Sequence, residues 1–360
     1  MKKFYILFIL LFLFKNHKSL NVDNNFHIIN NKNNLLSISE IKNNVLKENS
    51  NQNKNLLIGV FSKLKWEEVA LFFKSFQKAN FQNCDLVIFV DKIAIRTIKQ
   101  IKSCGFTLYQ IPDELKKLSI EIIRWKIYEY YLNNNSGKYN LIFAADIKKV
   151  IFQQDIFKQY EGKKSFLGVS LDEGTLDEKN NKKWIINAYG EEIYNTMKNE
   201  RIISTLTIWG TEDKFKEFCK IMWEKLSSDS SISNKIKIVD QAVANYIIYH
   251  NKLFKDCLIK SDKNGPVINI GLIDRKDILL DSNNNILNMK NEIASIVSQY
   301  DSKRDILKIV RKKYCPELDK LIESNNIIFF IFAFIAFIFI FITYIKNRKE
   351  TQNIELEEGK

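Results

Sequence analysis

The chain has 360 residues, with 55 Lys and Arg against 42 Asp and Glu, for a formal net charge of +13. Its only histidines are His17, His27 and His250, which excludes a zinc hydrolase built on several imidazole ligands and leaves a Ser-His-Asp hydrolase with His250 alone. The basic excess is scattered among Asn, Ile and Asp rather than gathered into a stripe, so it describes a solvated surface and argues against a nucleic-acid partner.

At the amino end, Lys2 and Lys3 precede an eleven-residue apolar run, Phe4 to Phe14. The run is shorter than the roughly 17–25 residues that cross a bilayer and has the form of a secretory signal over residues 1–20. No small-residue cleavage site stands out around His17 to Leu20, so a short uncleaved anchor is the alternative. Residues 21–55 are rich in Asn, Lys and Ser and hold too little apolar surface for a core of their own, which makes them a spacer.

From Leu56 the pattern changes to apolar runs alternating with amphipathic segments. Strands are expected at 56–61, 85–90, 106–111, 139–145, 164–169 and 202–208. Helices are expected at 66–78, 93–104, 119–133, 185–198, 214–226 and 240–249. This alternation predicts an α/β fold, a mostly parallel sheet flanked by helices over 56–318. The helix at 119–133 carries Ile120, Ile123, Ile127 and Tyr131 on one face, with Arg124 beside that stripe, and it ends in an Asn-rich stop. That stop holds the one N-glycosylation sequon, Asn134-Asn135-Ser136, expected on an exposed turn.

Near the carboxyl end, Ile327 to Ile345 gives nineteen residues without a charge, followed by Lys346, Arg348 and Lys349. The length suits one C-terminal transmembrane helix, and the basic flank assigns 346–360 to the cytosol and the folded region to the lumen or exterior. Endoplasmic reticulum, Golgi and cell surface all fit that topology, since the tail holds no retention signal. Five cysteines, Cys84, Cys104, Cys219, Cys257 and Cys315, are odd in number and contain no CxxC pair, so no zinc framework is implied and no pairing follows from their spacing.

The densest constellation runs from Tyr139 to Phe157, YNLIFAADIKKVIFQQDIF. It resembles the segment of GT-A glycosyltransferases in which a strand ends in Asp-x-x-Asp, followed by Val-Phe-Gln and an Asp-Pro-Phe-like turn. Similar matches are Ile58 to Phe61, Val90-Asp91, Arg124 to Tyr128, Trp184 to Gly190, Ser204 to Thr211, Asp240 to Tyr246 and Ile296 to Arg304. The resemblance covers about Leu56 to Tyr314. It implies a nucleotide-sugar donor, a glycan or protein acceptor and no other cofactor. In that scheme Gly59, Val60, Asp91 and Arg124 line the nucleotide, Asp146 orients the donor sugar or ribose, and Asp240 with Gln241 holds the acceptor or acts as general base.

The chain departs from the pattern where the family binds a divalent cation. The second acid is Lys149 and the metal-ligating histidine is Ser298, while Asp146 remains. One carboxylate beside an ammonium makes a poor Mg²⁺ or Mn²⁺ site, so no tightly bound metal is expected. Two readings stand: a metal-independent transferase in which Lys149 stabilises the leaving diphosphate, and a pseudoenzyme that keeps the fold without the reaction. Leu206, where related sequences tend to carry Gly, adds a steric argument for the second. Taken by themselves, Asp146 caps a turn, Asp240 is a helix N-cap, Arg124 is a solvated helix residue, Gly59 marks a close backbone approach, and His250 sits at a helix carboxyl end.

Overall fold

The computed structural model of the protein describes residues 35–36, 54–228, 239–318, 334–338 and 340–343. The signal or anchor at 1–20, most of the spacer and the tail at 346–360 lie outside the described residues. So does most of 327–345, of which 334–338 and 340–343 are helical. Among the described residues no helix is long and apolar enough to cross a membrane.

The strands are β1 (Leu35–Leu36), β2 (Lys54–Ser62), β3 (Cys84–Asp91), β4 (Leu108–Gln110), β5 (Tyr139–Ala145), β6 (Val150–Phe152), β7 (Leu167–Thr175), β8 (Arg201–Thr211), β9 (Leu258–Ser261), β10 (Val267–Asn269), β11 (Leu279–Leu280), β12 (Ile286–Leu287) and β13 (Ile296–Ser298). The helices are α1 (Trp66–Ala79), α2 (Ile95–Ser103), α3 (Ile120–Asn134), α4 (Lys179–Met197), α5 (Glu212–Ser228), α6 (Val239–Asn245) and α7 (Arg304–Tyr314).

An eight-stranded sheet in the order β1-β4-β3-β2-β5-β8-β7-β9 forms the centre. Within it only β8 runs against its neighbours, so the sheet is mostly parallel as the alternation predicts. Strand β2 lies in the middle; the chain builds outward through β3 and β4 and then reverses to place β5 on the other side. Strand order changes direction there, which is where open α/β sheets hold ligands, outside the carboxyl ends of the strands.

Strand β2 is buried on both faces, which is why it reads as a continuous apolar run rather than an alternating one. Leu57 and Phe61 join the core under α1 and α2, while Leu56, Ile58 and Val60 join the core under α3 and α5. On the first side Phe152 meets Phe72, Phe76 and Phe81 edge-on at centroid distances of 4.9, 5.8 and 5.5 Å. Such edge-to-face packing adds to the transfer energy of burying each ring.

Several boundaries differ from expectation. Strand β7 covers 167–175 rather than 164–169, because Lys163 and Lys164 are exposed and the buried run begins at Phe166. Helix α4 begins earlier, where the Glu178 carboxylate accepts from the Asn180 and Asn181 amides, and it breaks at Gly190, whose φ of 84° no helix permits. Part of the spacer belongs to the sheet, since Leu35 and Leu36 pair with Leu108 and Tyr109. The sequon also departs from expectation: Asn134 is the last residue of α3 and half-buried, with its side-chain amide donated to the Tyr130 carbonyl at 2.8 Å.

A three-stranded sheet, β10-β13-β6, was not legible as strands. It is the element that joins distant motifs. Strand β13 pairs antiparallel with β6, with Ser298 opposite Val150. The Gln299 amide donates to the Lys149 carbonyl at 2.8 Å.

Candidate functional site

The carboxyl ends of β2 and β3 open into a cleft of about 230 Å³ that the first turn of α3 closes from the side. Ser62, Asp91, Lys116, Ser119, Ile120 and Ile123 supply its lining. The Ser62 hydroxyl donates to Asp91 Oδ2 at 3.5 Å and Lys116 Nζ stands 3.8 Å from Asp91 Oδ1. The volume is below the roughly 300–1,000 Å³ of ligand pockets, so it suits one ring of a larger ligand. Such a ring would meet a carboxylate at its polar edge and Ile120 and Ile123 on its face.

Of the residues expected to line a nucleotide, Asp91 is here and the two from β2 are not. Gly59 is buried and its missing side chain is replaced by Ile147, whose Cδ1 would stand 2.3 Å from a Cβ built at that position. Val60 packs into the core. The reason is geometric: both lie upstream of the strand end, and Ser62 is the β2 residue whose side chain reaches the opening.

Arg124 also turns inward. Its guanidinium forms a buried ion pair with Asp240 at the start of α6 and lies 4.5 Å from the centre of the Trp125 ring. Burial pushes the Asp240 carboxyl up while Arg124 pulls it back. Burial works against the charge of Arg124, and Asp240, Tyr128 and Asp146 outweigh it, so the guanidinium stays protonated. The pair bridges α3 and α6, and Asp240 is neither a simple N-cap nor open to a ligand, being 1% exposed.

Asp146 follows β5 at the same edge of the sheet. Its amide donates to the Leu206 carbonyl at 2.9 Å, and its Oδ1 accepts from the Lys148 and Lys149 amides at 2.9 and 2.8 Å. One carboxylate oxygen thus caps the turn. The residue stays half-buried, within electrostatic reach of Arg124, Tyr128 and Tyr300. The Lys149 ammonium does not turn back to Asp146; it pairs with Asp301 at 2.5 Å. Gln241 donates to the Asn181 side chain at 2.8 Å, tying α6 to α4. All three residues expected to carry chemistry, Lys149, Asp240 and Gln241, therefore hold protein partners.

The structure adds residues that the sequence did not single out. Strand β7 runs in the direction of β5, so its carboxyl end brings Asp172 to the same edge. Asp172 is 5% exposed, and its Oδ1 has no hydrogen-bond partner. Burial pushes its carboxyl up to about 7, with Arg201 and Asn269 opposing. Beside it Asn269 donates to the Ser204 hydroxyl at 3.2 Å and accepts from the Gly271 amide at 3.1 Å. A charged residue inside an apolar strand was the available signal for Asp172. Ser62, at the end of β2, and Lys116, in the loop before α3, had none.

The edge thus holds a small cleft with Asp91, the Asp146 turn after β5 and, on β7, Asp172, whose carboxyl burial pushes up to about 7. Among the described residues no group of three or more His, Cys, Asp or Glu side chains could hold a metal ion.

No protein-family model matches the chain, and no curated protein matches it. Among solved structures, the chain is similar to the galactosyltransferase LgtC in complex with donor and acceptor sugar analogues, with a TM-score of 0.43 and 11% identity over 71% of this chain and 95% of that one. An active-site mutant of LgtC gives the same score and identity over 68% of this chain and 86% of that one. At this level the likeness assigns no residue and no activity to the present chain.

Proposed function

We infer that the protein is a membrane-tethered, GT-A-like nucleotide-sugar transferase that works without a tightly bound divalent metal. The observation that carries this reading is the Asp91 cleft at the carboxyl edge of a mostly parallel sheet, on one neighbour of β2, with the Asp146 turn following the other neighbour, β5. In this reading Asp91 and Ser62 accept and donate to the nucleoside, with Ile120 and Ile123 against its ring. Asp146 offers its second carboxylate oxygen to the donor sugar or ribose.

Transfer places negative charge on the departing diphosphate, and a positioned ammonium can stabilise it where other enzymes use a cation. Lys149 is the candidate for that task and must exchange its Asp301 contact for the diphosphate. Asp172, rather than Asp240, is the carboxyl suited to take a proton from the acceptor hydroxyl. Asp240 has the supporting role of fixing Arg124 and with it the slope of α3.

The membrane tether is part of the same reading. Phe334, Ile335 and Phe337 are 65, 53 and 65% exposed on a helical stretch, an arrangement that water does not favour and hydrocarbon does. A lumenal or exterior folded region with a cytosolic tail follows from the basic residues after Ile345.

A second reading is favoured by one specific observation, the engagement of Lys149, Asp240 and Gln241 with Asp301, Arg124 and Asn181. On it the protein binds a sugar nucleotide and does not turn it over. Incubating the full-length protein with labelled sugar nucleotides in excess EDTA separates the two. Release or transfer of sugar that disappears in Lys149→Ala supports the transferase. Binding with no turnover in either protein supports the non-catalytic reading.

A further inference from the structure

A second cavity lies at the opposite edge of the sheet from the cleft. Asn55 and Asn140 stand at the starts of β2 and β5, and Thr211 ends the reversed strand β8, so together they mark the amino edge. The cavity holds about 510 Å³, inside the roughly 300–1,000 Å³ range of pockets that enclose small ligands. The loop after β6 forms its far wall.

Two kinds of group mark the lining. Lys158, Lys163 and Lys164 are all exposed and all line the cavity. Among the described residues the Lys158 and Lys164 ammonium groups have neither an ion-pair nor a hydrogen-bond partner, and that of Lys163 has only the face of Tyr160, 5.4 Å from its Nζ. Asp155, one of two acids on the lining, is engaged elsewhere: its two oxygens accept from the Gln82 amide at 3.2 Å and the Phe157 amide at 3.0 Å. Glu161 is the remaining acid on the lining. Ammonium groups donate and never accept, so unpaired ones around a cavity call for an anion. The side-chain amides of Asn55 and Asn140 both donate and accept, which is the requirement for reading hydroxyl groups.

We propose that this amino-edge cavity is a second ligand site, for a small sugar carrying a phosphate or carboxylate, held by Lys158, Lys163 and Lys164 at its anionic group and by Asn55 and Asn140 at its hydroxyls. The site is separate from the cleft and does not depend on which reading of the cleft holds. It gives the chain a means of responding to a small acidic sugar at the edge away from the cleft.

The test is calorimetric titration of the full-length protein in detergent with glucose 6-phosphate, glucuronate, glucose and inorganic phosphate, each repeated with Lys163→Glu/Lys164→Glu and with Asn140→Ala. Both changes fall on exposed residues, and an unchanged ligand-free melting temperature shows that each variant folds. The expected result is saturable binding of one or both anionic sugars, about tenfold or more weaker in the double lysine variant and weaker at high salt. The tighter of the two anions identifies phosphate or carboxylate as the recognised group. Asn140→Ala should reduce the preference for glucose 6-phosphate over inorganic phosphate. Glucose binding as tightly as the anions, affinity unchanged in the lysine variant, or no binding of any probe would overturn the proposal. Failure here leaves the cleft untouched, because the two sites occupy opposite edges of the sheet.

Discussion

Arg124 and Asp240, 116 positions apart in sequence, form a buried ion pair that joins α3, the helix leading into the central strand β5, to α6, the second described helix after β8. Removing one partner leaves the other charge buried alone, which costs far more than the pair itself contributes. Arg124→Ala and Asp240→Ala should each destabilise the protein by about 3–5 kcal/mol in urea denaturation. Replacing both with Met and Leu should cost less than either single change. Equal stability of the single variants and the parent would remove the pair from its structural role.

Two buried glycines predict a graded response. At Gly59 an added methyl group meets the end of the Ile147 side chain, which can rotate, so Gly59→Ala should cost about 1–3 kcal/mol. At Gly168 the methyl meets the Trp209 indole at 2.1 Å, and that ring is stacked on Phe143 at 5.5 Å and cannot swing aside. Gly168→Ala should therefore melt at the lower temperature of the two, and Ile147→Val should recover part of the loss at Gly59 only.

Asp172 predicts a pH dependence with a definite sign. Burial raises its carboxyl to about 7, above the value in the unfolded chain, so the folded state holds the proton more tightly. Its contribution to stability is complete below pH about 4 and is lost as pH rises through about 7. Asp172→Asn should flatten this part of the stability profile and make the protein more stable than the parent at pH 8. A parent profile that rises between pH 5 and 8, and is matched by the variant, would contradict the assignment.

Lys149 separates structure from chemistry. Its pair with Asp301 is partly exposed, with side-chain accessibilities of 37 and 24%, and such pairs contribute about 0–1 kcal/mol. Lys149→Ala should melt within a degree or two of the parent while losing turnover of the sugar nucleotide. A large drop in stability would mean that any loss of activity reports on folding.

The sheet was legible because its strands are buried on both faces as continuous apolar runs separated by longer helical segments, so β2, α1, β5 and α3 fall within a residue or two of expectation. The small sheet of β6, β10 and β13 was not, because runs of three residues carry no periodicity of their own and owe their existence to tertiary pairing. The site divides in the same way. Asp91 and Asp146 end strands, a position that sequence order gives directly. Side-chain direction is decided by packing, and so Gly59 turned out to accommodate Ile147 and Arg124 to neutralise Asp240. Asp172 lies beyond the strand expected at 164–169 and within the observed β7, Leu167–Thr175, so the apolar pattern alone does not mark it.

The most direct measurement is calorimetric titration of sugar nucleotides carrying uridine or guanosine into the full-length protein in excess EDTA, beside Asp91→Ala. Saturable binding of at least one donor without metal, about tenfold or more weaker in the variant, is the predicted result. Absence of binding by every donor, or equal affinity in Asp91→Ala, would contradict the account of the cleft.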